Sequence, residues 1–223
     1  MPRRPARALV LATGSGGTTI DRDAHGGNPF ATALIELADN ERVRWRRFPQ
    51  QLRALTIKAS SGHQRPEWTR WPEHVEWSFH APRGSGRERR CALVMVVSAY
   101  ETAGLSPLDG AAHDERRVSA MFAAHGFTVV QGVAQTRASL LRALADFGRL
   151  TRRHDVAVVY STGHGVERGE GVHLLPADYP LAAGCSAAQL RAKAVSVDRM
   201  TRACHASTLN LVFFAGCRTL VTQ

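Results

Sequence analysis

Two short apolar runs, each followed by small residues and then a reactive side chain, dominate the hydrophobic pattern of this chain. Residues 156–160 precede Ser-Thr-Gly-His-Gly, and residues 209–214 precede Ala-Gly-Cys-Arg. Continuous runs of this length, rich in Val and Phe, are typical of buried parallel strands. Because open α/β sheets place their sites beyond the carboxyl ends of the strands, the pattern predicts that His164 and Cys217 lie at one edge of a sheet.

The other apolar segments of the second half predict alternating strands and helices. Residues 91–97 predict an opening strand, and residues 108–114 lead into a helix. A second strand follows Gly126-Phe127, and a further helix begins at Arg137. This alternation indicates α/β architecture, with a mostly parallel sheet of about six strands and helices on both faces.

The first half predicts a smaller unit of the same kind. Residues 8–12 predict a short buried strand, and a Gly-rich loop covers residues 13–27. The pair Asn28-Pro29 predicts a helix start, because Pro is tolerated in the first turn. A second helix is predicted over residues 45–58, and residues 75–79 alternate as an edge strand would.

Composition is typical of a globular protein that folds as one domain. A chain of 223 residues with 44% apolar residues can bury a full core. No apolar run approaches the length of about 18 residues that a membrane span needs, and the stretch behind the basic start breaks at Gly14, too early for a signal peptide. The four irregularly spaced cysteines form neither a zinc pattern nor a secreted disulfide framework. We therefore expect a reducing, cytoplasmic setting.

The formal net charge of +10 raises the question of nucleic-acid binding. Lys58 and Lys193 are the two lysines, so 27 of the 29 basic residues are arginines, a bias typical of GC-rich genomes. These arginines are scattered and do not gather on one predicted face, which favours a solvated basic surface. The densest basic run, residues 83–90, is explained by a flexible linker.

Residues 90–218 resemble the large subunit of caspases, metacaspases and their bacterial relatives. The motifs that carry the resemblance are Leu-Asp-Gly-Ala-Ala-His-Asp at 108–114, Ser-Thr-Gly-His-Gly at 161–165, Leu-Leu-Pro-Ala-Asp at 174–178 and Gly-Cys-Arg at 216–218. His164 lies 53 positions before Cys217, close to the spacing of about 50 in caspases. One departure is that Phe-Ala-Gly precedes the cysteine, where metacaspase-like proteins usually carry an acidic residue.

The first half is similar to the small subunit of the same peptidases, which in the family follows the large subunit. The similarity rests on the order of strand, Gly-rich loop, Asn-Pro-Phe-Ala-Thr-Ala-Leu helix, second helix and Gln-x-Pro segment. One domain is expected over 1–223, with a small-subunit-like half (1–81), a linker (82–90) and a large-subunit-like half (91–223). A circular permutation explains the swapped order, and a middle piece of a tandem protein is the alternative. If the chain is permuted, the strand at residues 8–12 is expected beside the strand at residues 209–215. A permuted chain would need no activating cut.

The resemblance implies a dyad of Cys217 and His164. A thiol attacks a peptide carbonyl as the thiolate, and a histidine acts first as the base and later as the acid that protonates the leaving amine. The backbone N–H groups of Gly165 and Cys217 match the family's oxyanion positions. This chemistry needs no metal or cofactor. Each side chain alone is explained by a structural role, whereas their occurrence together at two strand ends favours the dyad.

The resemblance also directs attention to a specificity pocket. Caspases hold an aspartate there with arginines, whereas metacaspases hold arginine or lysine with carboxylates. Asp21 and Asp23 in the Gly-rich loop, and Asp109 before a helix, are the candidate carboxylates for a basic substrate. A solvated loop is the alternative for Asp21 and Asp23, and the many arginines leave aspartate specificity open. Asp114 is interpreted as a helix cap.

These observations predict a cytoplasmic cysteine endopeptidase that acts on protein or peptide substrates. An activating partner protein is left open, and analogy with bacterial relatives suggests a triggered effector. Neither nucleic acid nor a membrane is an expected partner. The alternatives are a non-catalytic caspase-like module that binds a partner protein and a nucleic-acid-associated protein driven by charge. Such modules usually lack the histidine or the cysteine, and this chain has both.

Overall fold

A computed structural model describes residues 4–69, 71–80, 88–100, 104–132, 135–169 and 171–221. The strands are β1 (Ala6–Leu11), β2 (Glu67–Trp68), β3 (Arg90–Val96), β4 (Phe127–Gly132), β5 (Val156–Thr162), β6 (Gly165–Arg168), β7 (Gly171–Leu174), β8 (Val195–Ser196), β9 (Leu209–Phe214) and β10 (Thr219–Leu220). The α-helices are α1 (Pro29–Asp39), α2 (Phe48–Ala59), α3 (Asp109–Ala124), α4 (Arg137–Thr151), α5 (Ala187–Lys193) and α6 (Val197–Ala203). Short 3-10 turns lie at Trp45–Arg47 and Leu181–Ala183.

The main sheet has six strands in the order β2-β1-β9-β5-β3-β4. Its neighbours run parallel except for β2, which is antiparallel to β1. Every residue of β3, β5 and β9 is buried, as the continuous apolar runs predicted. A smaller sheet has the order β10-β6-β7-β8. The predicted α/β fold with a mostly parallel six-stranded sheet is confirmed.

Helices cover both faces of the main sheet. Helices α1, α2 and α3 pack on one face, where Val158 of β5 points, and α4 and α6 pack on the other, where Val159 points. Successive strand residues face opposite sides, so each central strand contributes to both cores. In the described part of the chain, no helix combines the length and the apolarity that crossing a membrane requires.

The first half of the chain joins the same sheet as the second half. Strand β1 pairs with β9 from Ala6↔Leu209 to Leu11↔Phe214. This pairing of the first strand with the strand before Cys217 is the one that the sequence predicted. Helix α1 begins as expected, because the Asn28 side chain caps it by accepting a hydrogen bond from Phe30 N at 2.8 Å.

The prediction of an edge strand at residues 75–79 is wrong. Residues 71–80 contain no strand, and the edge beside β1 is β2. Trp77 and Phe79 are both buried in an aromatic cluster, with ring centroids 5.0 Å from Trp45 and 5.5 Å from Phe48, respectively. The alternating pattern therefore reflects two anchored aromatic side chains, and such anchoring needs no strand partner.

The predicted linker at 82–90 lies outside the described residues over 82–87, and its last residue is part of the sheet. Arg90 begins β3, and its side chain is buried. Its guanidinium donates to Glu88 Oε1 at 2.6 Å and to the Phe79 carbonyl. It also lies 5.3 Å from the ring centroid of Trp77. Arg90 thus ties the aromatic segment to the sheet, and the linker ends before it.

We expect Arg90→Ala to lower the free energy of unfolding by about 2–4 kcal/mol, because it leaves the Phe79 carbonyl without its donor and Glu88 without its cationic partner. The neighbouring Arg89, whose side chain is 63% exposed, is the matched control. Its replacement by Ala should cost less than about 1 kcal/mol. Urea denaturation followed by circular dichroism measures both. Equal losses in the two variants would contradict this role of Arg90.

Candidate active site

The ends of two neighbouring strands bring the candidate histidine and cysteine to one edge of the sheet. The pairing of β5 with β9 ends at Ser161↔Phe214, and His164 and Cys217 follow this pair by three residues each. The loops beyond these strands touch: a Cβ on Gly216 would lie 2.7 Å from the Gly163 carbonyl oxygen. Both reactive side chains are half-buried. The strand register therefore places the two side chains on the same edge.

Two hydrogen bonds position His164. Its ring Nε2 lies 2.8 Å from the Ser106 carbonyl oxygen. A carbonyl oxygen only accepts, so Nε2 carries the hydrogen and Nδ1 is the basic nitrogen of the neutral ring. The backbone N of His164 donates to the Tyr100 hydroxyl at 2.9 Å. That hydroxyl donates in turn to the Leu175 carbonyl at 2.8 Å.

Tyr100 is a buried neighbour of the histidine. Its ring packs edge-on against that of His164, with centroids 4.5 Å apart. Burial raises the pKa of Tyr100, and the negative charge of a Cys217 thiolate raises it further. The Tyr100 hydroxyl therefore stays protonated and keeps donating to Leu175.

Cys217 meets the Gly-rich loop of the first half. Thr19 N donates to Cys217 Sγ at 3.2 Å, and Thr19 Oγ1 lies 3.3 Å from the same sulfur. Among the described residues, no hydrogen bond joins Sγ to the His164 ring. Catalytic hydrogen bonds are often long without substrate. The dyad of Cys217 and His164 therefore stays a prediction.

Close backbone contact explains the glycines on both sides of His164. Gly163 has φ +151°, and a Cβ there would lie 2.6 Å from the Tyr100 hydroxyl. A Cβ on Gly165 would lie 2.3 Å from the Cys217 carbonyl oxygen. Leu175 N donates to His164 O, so Gly165↔Leu174 is a non-hydrogen-bonded pair and Gly165 N–H points away from β7. The two predicted oxyanion donors, Gly165 and Cys217, thus lie side by side, and their role stays a prediction.

Arg218 anchors the segment that carries the cysteine. Its guanidinium is buried and donates to Glu67 Oε2 at 2.7 Å and to Glu167 Oε1 at 2.9 Å. Its backbone N donates to Gly17 O at 2.8 Å. These hydrogen bonds therefore connect the segment around Cys217 to β2, to β6 and to the Gly-rich loop. The Gly-Cys-Arg motif contains this arginine, but sequence reasoning gave it no role.

Two of the three candidate specificity carboxylates have partners of their own. Asp21 accepts hydrogen bonds from Gly110 N at 2.9 Å and from Ala111 N at 3.1 Å, so it caps the first turn of α3. Asp109 is exposed and forms an ion pair with Arg22. Asp21 therefore fixes the loop to α3, and the charge of Asp109 is balanced at the surface.

Asp21, Asp23 and Asp114 form a group that we call the carboxylate cluster. Asp23 Oδ1 accepts from His25 N at 2.7 Å, while its Oδ2 is buried and has no hydrogen-bond partner in the described part of the chain. Asp114 is fully buried, and its Oδ2 accepts from Asn28 N at 2.8 Å. The interpretation of Asp114 as a helix cap is wrong, because α3 begins five residues earlier, at Asp109.

Sequence reasoning gave Asp114 the wrong role. It lies on the same face of α3 as the buried Ala111 and Val118, so an acidic residue on the apolar stripe was the available signal. Burial raises the pKa of Asp114 to about 7; the Asn28 hydrogen bond and Arg117 oppose this rise, and Asp23 and Asp21 add to it. Asp21 and Asp23 therefore lie close enough to act electrostatically on Asp114.

Asn28 connects Asp114 to the segment around Cys217. Its side-chain Nδ2 donates to Ile20 O at 2.9 Å and to Ala215 O at 3.4 Å. Ala215 lies two residues before Cys217, and Ile20 follows Thr19. Asn28 thus bonds Asp114 and both of the segments that carry Thr19 and Cys217.

The remaining cysteines differ from Cys217 in their surroundings. Cys91 and Cys204 are buried, and burial raises the pKa of each thiol to about 12, so both stay protonated. Cys185 is half-buried in the segment before α5. Within the described ranges, no three His, Cys, Asp or Glu side chains group as metal ligands.

A family model for the caspase domain matches residues 89–219. This chain belongs to the caspase-domain family. Membership supports a cysteine peptidase that acts on protein substrates, at the level of the family. The caspase-domain match begins after the first half, so Thr19 and Asp23 lie outside it. A comparison with curated protein sequences finds no match.

We expect Asp114 to make the caspase domain less stable as pH rises from about 4 to about 7. Its pKa in the folded protein, about 7, exceeds the ordinary aspartate value of 3.8, so in this window the folded state holds a proton that the unfolded chain releases. Asp114→Asn cannot titrate, and its amide oxygen can still accept from Asn28 N. The variant should therefore be more stable relative to the parent chain at pH 8 than at pH 5: its free energy of unfolding minus that of the parent should be larger at the higher pH.

Urea denaturation of both proteins at the two pH values measures this difference. Asp146→Asn is the control, since Asp146 is an exposed residue on α4. A difference for Asp114→Asn that does not change with pH would contradict the raised pKa.

Proposed function

We propose that this chain is a cysteine endopeptidase in which Cys217 is the nucleophile and His164 the general base and acid. The observation that carries the proposal is the matched ends of β5 and β9, which place both side chains on one edge. The Ser106 carbonyl holds the hydrogen on His164 Nε2, so Nδ1 is the nitrogen available to take a proton.

The proposed reaction follows from these roles. His164 Nδ1 takes the thiol proton, and the Cys217 thiolate attacks the carbonyl carbon of the scissile peptide bond. The N–H groups of Gly165 and Cys217 donate to the resulting oxyanion. The protonated imidazole gives its proton to the leaving amine as the C–N bond breaks. Water, deprotonated by His164, then hydrolyses the thioester and releases the acid and the free thiol.

We infer a preference for a basic residue before the cleaved bond. Asp23 carries a buried carboxylate oxygen without a partner among the described residues. Its charge also lies close enough to Asp114 to raise the pKa of that residue. The nearby arginines are already paired, Arg22 with Asp109 and Arg117 with Asp114. A guanidinium or ammonium group of a substrate would supply the missing positive charge and favour the ionised form of Asp114.

We also propose that the chain is a circular permutation, in which the small-subunit-like half precedes the large-subunit-like half. Residues 6–11 form the strand beside β9, although they precede the caspase-domain match at 89–219. With the small-subunit-like half attached in this order, we expect activity without self-cleavage. A cytoplasmic setting and a triggered effector role complete the proposal; the first rests on cysteine usage and the second on analogy with bacterial relatives.

Cleavage of a peptide library by the purified chain tests the peptidase function. Cys217→Ala should lower kcat/KM by at least about 10³-fold, because no other group replaces the nucleophile, and His164→Ala by at least about 10²-fold. Cys185→Ala is the matched control and should keep full activity. Circular dichroism checks that each variant is folded. Cleavage that survives in Cys217→Ala would refute this assignment, and a library left uncut by the parent chain would favour the non-catalytic binding module.

Two peptides that differ only in the residue before the cleaved bond test the specificity. The arginine peptide should be hydrolysed with a kcat/KM at least about 100-fold above that of the aspartate peptide. Asp23→Asn should reduce this ratio, because it removes a buried negative charge. Asp109→Asn should leave it near the parent value, because Asp109 is an exposed partner of Arg22. The reverse preference would refute the carboxylate pocket and leave the dyad unaffected.

A further inference from the structure

The sulfur of Cys217 has two close polar neighbours, and both belong to one residue of the first half. Thr19 N lies 3.2 Å from Sγ, and Thr19 Oγ1 lies 3.3 Å from it. A backbone N–H only donates, so the sulfur is an acceptor in the shorter contact. The hydroxyl can donate as well once the thiol proton has left. A thiolate accepts such hydrogen bonds more strongly than a thiol does, so the arrangement favours the anion.

The backbone around Thr19 is held in place by buried partners. Ile20 N donates to Gln64 Oε1 at 3.0 Å, and Ile20 O accepts from Asn28 Nδ2 at 2.9 Å. Gln64 is fully buried and also donates to Asn28 Oδ1 at 3.3 Å. Both polar groups of Ile20 are thus fixed, which orients the preceding residue toward the sulfur. Donors that are oriented in advance need no reorganisation when the charge forms.

The loop is also fastened on its other side to the residue after the nucleophile. Gly16 N donates to Arg218 O at 3.0 Å, and Arg218 N donates to Gly17 O at 2.8 Å. These two bonds run between the Gly-rich loop and the residue next to Cys217. Hydrogen bonds on both sides of Thr19, at Gly16 and Gly17 and at Ile20, therefore fix its distance from Sγ.

We propose that Thr19 is a further catalytic residue, whose N–H and hydroxyl donate to the Cys217 sulfur and stabilise the thiolate that forms when His164 takes the proton. The described hydrogen bonds of the sulfur are the two with Thr19, and none joins it to His164. Thr19 therefore lowers the free energy of the thiolate, and His164 carries the proton. This inference rests on the proposed peptidase function, and it gives the first half of the chain a direct part in the chemistry.

The rate of Cys217 alkylation by iodoacetamide, followed by mass spectrometry from pH 5 to 10 on the full chain, tests the proposal without any substrate. Thr19→Val removes the hydroxyl and keeps the shape. We expect its rate at pH 7 to fall about 3- to 10-fold, with the midpoint of the rate profile moved to higher pH, as the loss of one hydrogen bond of ordinary strength predicts. Thr19→Ser should stay within about twofold of the parent.

Two controls separate an effect on the thiolate from general damage. Thr18→Val changes the adjacent threonine, whose hydroxyl contacts the His63 ring at 2.9 Å and not the sulfur, and should leave the Cys217 profile unchanged. Labelling of Cys185 in the same samples should be the same in all variants. Should Thr19→Val be unstable, Thr19→Ala replaces it with the same expected shift.

An unchanged or faster Cys217 alkylation in Thr19→Val would overturn the proposal, because Thr19 would then be only a cover over the thiol. The expected shift in a chain that cleaves no peptide would support the role of Thr19 toward the sulfur and refute the peptidase function. The shift together with a matching fall in kcat/KM would support both.

Discussion

The site depends on the position of β9 between two parallel partners that it meets in register. Leu209 faces Ala6 of β1 on one side and Val156 of β5 on the other. Because all three strands begin at the same level, the loops that follow β1, β5 and β9 meet at one edge. That edge collects Thr19, His164 and Cys217 from three distant parts of the chain. A one-residue slip in either ladder would turn the side chains to the opposite face and separate these groups.

Buried charges hold this edge together, and they do so by pairing. The buried Arg218 pairs with Glu167, which is also buried, and with Glu67, whose side chain is 52% exposed. A buried ion pair such as Arg218–Glu167 contributes little net stability, because the desolvation of the ions offsets their attraction, but removal of one partner is costly. Arg218 instead connects the segment around Cys217 to β2 and β6. Asp114 is the opposite case: its charge is only partly compensated, and burial raises its pKa to about 7.

The Gly-rich loop of the first half contributes both to the contact with the Cys217 sulfur and to the carboxylate cluster. Thr19 touches the sulfur, and Asp21 and Asp23 of the same loop belong to the carboxylate cluster. Asn28 and Gln64 fix the loop between Thr19 and Asp21 through the two polar groups of Ile20. The residues proposed to activate the nucleophile and to select the substrate therefore share one support. Changes in the support, such as at Gln64, would act on both.

The sequence alone determined the α/β class, the strands around His164 and Cys217, the helix start at Asn28 and the pairing of the first strand with the strand before Cys217, because these follow from continuous apolar runs and local capping. It misjudged residues 75–79, where Trp77 and Phe79 alternate only because both enter one aromatic cluster. It gave Asp114 the wrong role, and it did not find Thr19 or the role of Arg218. Contacts between residues far apart in the chain decide those positions: Thr19 lies 198 positions from Cys217, and nothing in its local pattern marks it. Only the folded sheet, which brings separate strand ends together, determines which polar side chain meets the sulfur.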